Sequence, residues 1–194
     1  MTAALRVMQR KGYAAATVAD VLAEAHLSTR AFYRHFKSKD ELFLAVFEQD
    51  SIAARERMRA RLEAAAGPLE KLGAWVEEML GLAYDARRAR RTKVLAHEAV
   101  ALCAAFPAEF SAIYAAPEKA LVPILEGGRS AGLFPGAEPE SDAASIRAVT
   151  WDVVEARLES DGAPDRETAR ARVLDFTLRA LGADLEKARR QLDF

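Results

Sequence analysis

Apolar residues recur along this 194-residue chain at helical spacing and nowhere alternate with polar ones over the length of a strand. Leu69, Leu72, Val76, Met79, Leu80 and Ala83 form one such stripe, at steps of three and four. Half of the residues are hydrophobic, alanine and leucine abound, and glycine and proline are few. The chain is therefore expected to be globular and all-α. Its single cysteine, Cys103, lies in an apolar run. It cannot form an internal disulfide and reads as a small core residue, which suits a reducing compartment. No apolar run approaches the roughly 20 residues that span a bilayer, and the N-terminus has no signal-peptide core. The expectation is a cytoplasmic protein with no membrane partner.

Caps and breakers divide the chain into helices. Leu5 and Met8 mark a short first helix, closed by Gly12. Thr17-Val18-Ala19-Asp20 resembles a capping box and opens a second helix to about Ala25, with Val18, Val21 and Leu22 inward. His26-Leu27 is a turn. Ser28 then caps a third helix of about eight residues whose apolar side is Phe32 and Phe36. Ser38-Lys39-Asp40-Glu41 is a full capping box and opens a long helix to about Ala65. Pro68 is well placed to begin the next. The arginine run at 87–91 reads as a solvated loop before a helix from about Thr92 to Ala105. Pro107 starts a further helix, which Pro117 and Pro123 should restart or kink. After a stop at 132–136, two long helices are expected at about 142–160 and 165–181, then a short charged tail helix. There is no internal repeat.

Charge is unevenly placed. Residues 1–40 carry seven Lys or Arg against three acids, a net of +4, while the whole chain is −1. A basic N-terminal module on an acidic body suits a polyanionic partner at one end. Two short helices joined by a tight turn describe a helix-turn-helix, whose second helix enters the DNA major groove by its N-terminal residues. The helix starts at Thr17, Ser28 and Ser38 offer amides and positive dipole ends to phosphate. Lys39 adds a charge there, and Arg30 has the fork that pairs bidentately with guanine.

The residues Thr17 to Ala25, Leu27-Ser28, Phe32-Tyr33-Arg34-His35-Phe36 and Ser38-Lys39-Asp40-Glu41-Leu42 resemble the DNA-binding domain of the TetR family of bacterial transcriptional regulators. The match is dense over about residues 3–47. Beyond it, only length, helix count and helix order match. The resemblance implies a DNA-backbone contact for Tyr33, phosphate-side roles for Thr17, His35 and Lys39, and base or phosphate contacts for Thr29, Arg30 and Arg34 beside the cap Ser28. Three positions depart from the family pattern. His26 stands where Gly is frequent in a turn favouring φ > 0, Arg30 where a small residue is common, and Ala31 where Thr is. The first helix is also shorter than usual for the family, so an upstream start or the loss of that arm is expected. By this reading residues 1–45 are a three-helix DNA-binding domain, and 46–194 a helical ligand-binding and dimerisation domain.

In that body the last two long helices each show two apolar stripes. Ile146, Val149 and Val153 stand beside Trp151, Val154 and Leu158; Val173, Phe176, Thr177 and Ala180 stand beside Leu174, Leu178 and Leu181. A helix apolar on two sides is buried on two sides. Ile146, Val149, Val153, Val173, Phe176 and Ala180 are accordingly candidates for a homodimer interface. The resemblance also implies a pocket for a small, largely hydrophobic effector, with Trp75, Met79, His97, Phe106, Phe110, Tyr114 and Trp151 as candidate lining and Glu98 as a polar neighbour. No nucleophile–base set, phosphate loop or metal-ligand spacing stands out. Neither enzyme activity, cofactor nor metal is expected. The function so implied is a repressor that binds a palindromic DNA operator as a homodimer and is released by its ligand. The alternative is a ligand-binding or interaction module that has lost DNA binding.

Overall fold

The computed structural model describes residues 2–160 and 162–194, apart from the side chains of Glu98, Val100 and Ala101. Most of the described residues lie in ten helices, and none of them forms a strand. The ten helices are α1 (Thr2–Ala15), α2 (Val18–Ala25), α3 (Thr29–Tyr33), α4 (Lys39–Ala64), α5 (Pro68–Tyr84), α6 (Ala86–Ala105), α7 (Pro107–Ser130), α8 (Pro139–Glu159), α9 (Arg166–Ala180) and α10 (Leu185–Leu192).

Local chemistry sets most of these boundaries. Gly12 sits inside α1 at φ 72°, ψ 164° and breaks its regular turn there, a conformation open to a residue without Cβ. Thr17 caps α2 reciprocally: its hydroxyl accepts from the Asp20 amide at 3.2 Å, and the Asp20 carboxylate accepts from the Thr17 amide at 3.0 Å. His26 ends α2 in the left-handed region at φ 53°, as the turn requires. Ser38 accepts from the Glu41 amide at 3.1 Å. The Glu41 carboxylate accepts from the Lys37 amide, one residue before the cap.

Three elements differ from their sequence expectation. Helix α3 has five residues rather than about eight, because the chain tightens after Tyr33 and the His35 and Phe36 amides both donate to the Phe32 carbonyl. The arginine run at 87–91 belongs to α6 rather than to a loop. The Asp85 side chain accepts from the Arg87 and Arg88 amides at 3.0 and 3.1 Å, satisfying two donors at that start. Helix α7 runs through Pro117 and Pro123 without a break. The donors lost there are offset by burying Leu121, Ile124 and Leu125 in a core.

Packing divides the chain into two compact units. One gathers residues 1–54 with 90–113, the other 55–89 with 114–194. The sequence placed a boundary at 45/46 in chain order. In the structure the first unit's core joins Phe43 and Phe47 of α4 to Leu95, Ala99 and Leu102 of α6 and Phe110 of α7. Phe47 and Phe110 meet edge to face at 5.0 Å. The second core is built on α5 (Leu72, Trp75, Val76 and Leu80), with α7, α8 and α9 supplying Leu125, Val154, Leu174 and Leu178.

Helix α9 corrects the reading of its two stripes. Val173 and Thr177 are as buried as Leu174 and Leu178, so these four residues form one inward face, and only part of the first stripe is left to solvent. Ile146 of α8 is buried there too. Neither Ile146 nor Val173 is therefore available to a second subunit. Phe176 is 52% exposed and Ala180 is exposed, while Val149 and Val153 are half-buried.

Candidate nucleic-acid interface

Helices α2 and α3 and the start of α4 surround a compact apolar seam, in which Val21, Phe32, Leu42 and Phe43 are buried with Leu5 and Met8 of α1. Phe32 points inward. Its neighbour Tyr33 therefore turns outward, 59% exposed, with the two rings edge to face at 5.1 Å. Thr17, Ser28, Thr29, Arg30, Arg34 and His35 are all exposed as well. Ser28, Arg30, Ala31, Tyr33 and Arg34 line an open concavity of about 570 Å³. The short α3 thus presents one continuous polar and basic surface.

Ion pairing decides which cations of this unit are free. Arg6 and Arg10 both pair with Glu24, Arg10 at 2.7 Å, and Lys11 pairs with Asp20 at 2.6 Å. That contact, with the Thr17 bonds after it, holds the Asp20 carboxyl down at about 2. Glu24 is likewise lowered, chiefly by its hydrogen bond from Arg10. Arg30, Arg34 and Lys37 form no ion pair among the described residues, and Arg34 Nε donates only to His35 Nε2, at 3.4 Å. Of the seven basic residues in 1–40, these three keep an uncompensated charge on the surface. Lys37 was not singled out by the sequence. Its place just before the Ser38 cap was the available signal.

Lys39 behaves differently from its expected role. Its ammonium donates to the carbonyls of Tyr13, Ala14 and Ala16 at 3.0, 3.3 and 3.2 Å, and lies 4.6 Å from the centre of the Tyr13 ring. An ammonium has three N–H donors, and all three are spent. Here Lys39 clamps the frayed end of α1, and Tyr13 in turn donates its hydroxyl proton to Asp40. Thr17, Ser28 and Ser38 likewise use their hydroxyls to cap their own helices, leaving backbone amides as what those helix ends offer an anion.

The candidate pocket residues are shared between the two units. Trp75 and Met79 lie in the second unit's core with Trp151 half-buried against it, and the Trp75 indole donates to the Pro117 carbonyl at 2.9 Å. Phe110 is fully buried in the first unit's core, with Phe106 half-buried beside it. His97 is exposed and Tyr114 is 43% exposed. Glu98 lies outside the described side chains. No described helix is long and apolar enough to cross a membrane.

Comparison with known proteins agrees with this geometry. Residues 1–46 match the family of bacterial regulatory proteins known as the tetR family. Over 62 residues, 32% of this chain, the sequence is 47% identical to the HTH-type transcriptional regulator CymR of Pseudomonas putida. That match covers 30% of CymR, so the chain spans under a third of the length of this curated relative. A tetR-family regulatory protein from Rhodococcus RHA1 superposes with a TM-score of 0.74 at 25% identity, over 94% of this chain and 95% of that one. AibR, solved with isovaleryl coenzyme A and operator DNA, has the same fold, with a TM-score of 0.67 at 18% identity over 90% and 93% of the two chains. Residues 1–46 thus match the tetR family of bacterial regulatory proteins, and the chain as a whole shares the fold of a solved tetR-family regulatory protein.

Proposed function

We propose that this chain is a cytoplasmic transcriptional repressor that reads a palindromic operator as a homodimer and releases it on binding a small, largely hydrophobic effector. One observation carries the DNA-binding part. Arg30, Arg34 and Lys37 are left without carboxylate partners beside the exposed Tyr33, while the other cations of the module are spent internally. Arg30 and Thr29 stand in the first turn of α3, where a recognition helix meets base edges. Tyr33, Arg34 and His35 follow on its flank, suited to backbone phosphate. Lys39 contributes by holding α1 against the start of α4.

A two-fold dimer sets two such helices about 34–36 Å apart, one turn of DNA. Phe176 and Ala180, with the half-buried Val149 and Val153, are the candidates that remain for its interface. The AibR complex with both an acyl thioester and operator DNA supports the effector step. The effector acts only as far as it binds the two conformations differently.

The test is fluorescence anisotropy with duplexes tiled across the intergenic DNA beside the gene, using the wild type, Arg30→Ala and Tyr33→Ala. Tight binding to one duplex, weakened at least tenfold by each substitution, is expected. Binding that neither substitution changes would overturn the assignment. No binding to any duplex would favour a module that has lost DNA recognition.

A further inference from the structure

We infer that the second unit contains a binding site for a phosphoryl-bearing small molecule, built from Arg57, Arg61 and Arg88 around the buried carboxylate of Glu78. Glu78 stands on α5 with its side chain 4% exposed. Arg57 Nε donates to Glu78 Oε1 at 3.2 Å, Arg61 Nε to Oε2 at 2.9 Å, and Arg88 Nη2 to Oε1 at 2.6 Å. Arg57 and Arg61 are one turn apart on α4, and Arg88 reaches in from α6.

Two features exceed what an ion-pair clamp needs. The first is charge. Three guanidiniums meet the Glu78 carboxylate, with the Asp85 carboxylate also acting on Arg88, so the cluster keeps a net positive charge that attracts a phosphoryl anion. Burial first, and the Arg57 charge after it, pull the Arg88 guanidinium below its ordinary value, against the attraction of Glu78 and Asp85. The second is donor geometry. Arg57 and Arg61 each engage Glu78 through Nε alone. Their terminal amino groups, on side chains 41% and 47% exposed, remain available as planar forks of the kind that grip phosphate bidentately. Arg88 Nε is buried without a partner. Space for Arg88 is also provided: a Cβ on Gly81 would stand 2.5 Å from its Nη1. Carboxylate, arginines and glycine together position a cation surplus at the edge of a core.

Binding at this site would make the effector anionic at one end. It rests on the regulatory reading above only for any consequence at the operator, so it is tested without DNA. The full chain is titrated with sodium pyrophosphate by calorimetry at fixed ionic strength. Saturable binding at one site per chain is expected. It should weaken at least tenfold in Arg57→Gln/Arg61→Gln and stay unchanged in Arg59→Gln, a variant at a residue of the same helix that pairs with Glu56 and Glu63 instead. Circular dichroism establishes that each variant is folded. If the double variant is not, Arg61→Gln alone should weaken binding at least threefold. No saturable binding, equal affinity in the arginine variants, or an equal loss in Arg59→Gln would each overturn the site. None of these outcomes touches the DNA-binding proposal.

Discussion

Replacing Lys39 by Met separates two roles that the position can have. The substitution keeps an unbranched stem of similar length and removes the ammonium. In the structure three carbonyls lose their donor, at 3.0, 3.3 and 3.2 Å. The Ala14 carbonyl belongs to an exposed residue and regains water. Those of Tyr13 and Ala16 are in part-buried bonds, and Ala16 is 1% exposed. At about 1 kcal/mol each for a partly unsatisfied buried acceptor, the loss is about 2 kcal/mol, or about 6 °C in Tm for a chain of this length. Operator affinity should fall, because the packing beside α2 and α3 loosens. Its dependence on salt should not change, since no phosphate contact is removed. A direct phosphate grip makes the opposite forecast. The slope of log K against log salt would shrink by about 0.9 per contact, or about 1.8 for a two-fold dimer, with Tm unchanged. Anisotropy titrations between about 50 and 200 mM salt, with thermal melts followed by circular dichroism, give both quantities. A reduced slope with an intact Tm would refute the clamp.

Three further expectations concern separate parts of the chain. In Gly128→Ala the new Cβ stands 1.9 Å from Cδ2 of the fully buried Phe134 ring. Overpacking of about 3 kcal/mol should lower Tm by about 8 °C, and an unchanged melt would show that the ring can retreat. Phe176→Glu places a charge on a residue already 52% exposed in the protomer. If the proposed dimer forms through this face, sedimentation velocity should show a dimer for the wild type and a folded monomer for the variant, and an equal mass for the two would remove Phe176 from the interface. Asp20 has its carboxyl lowered from 3.8 to about 2, first by the Lys11 bond and then by Thr17. A lowered carboxyl contributes stability above its unfolded value, and that contribution disappears as pH falls from about 4 towards 2. Melts across that window should be steeper in pH for the wild type than for Asp20→Asn, and parallel curves would dismiss the contribution.

The exposed surface of α3 was largely legible in the sequence because its signals are local. A Thr17–Asp20 box, a Ser28 cap and a Ser38–Glu41 box fix where α2, α3 and α4 begin. Phe32 and Phe36 on one side of a short helix oblige Tyr33 and Arg34 to the other. His26 was expected at a left-handed turn and adopts one. The cations read differently. Arg30 and Lys39 have the same formal charge, yet one is free and the other is spent on three carbonyls contributed from 23 to 26 residues earlier in the chain.

In the body, sequence periodicity identified the apolar faces but not what covers them. The two stripes of α9 differ little in residue type, and only the packing of α5, α8 and α10 around it shows that Val173 and Thr177 are buried with Leu174 and Leu178 while Phe176 and Ala180 stay exposed. The same holds for the aromatic residues. Trp75 and Phe110 look alike as pocket candidates, but they belong to two cores, because α4, α6 and α7 each contribute residues to both units. The sequence alone thus determined the helices, their caps and which face of α3 meets solvent, since these follow from neighbours within about four residues. Burial, ion pairing and the fate of each charge, including the three arginines on Glu78, were decided by contacts between residues far apart in the chain, which only the tertiary structure brings together.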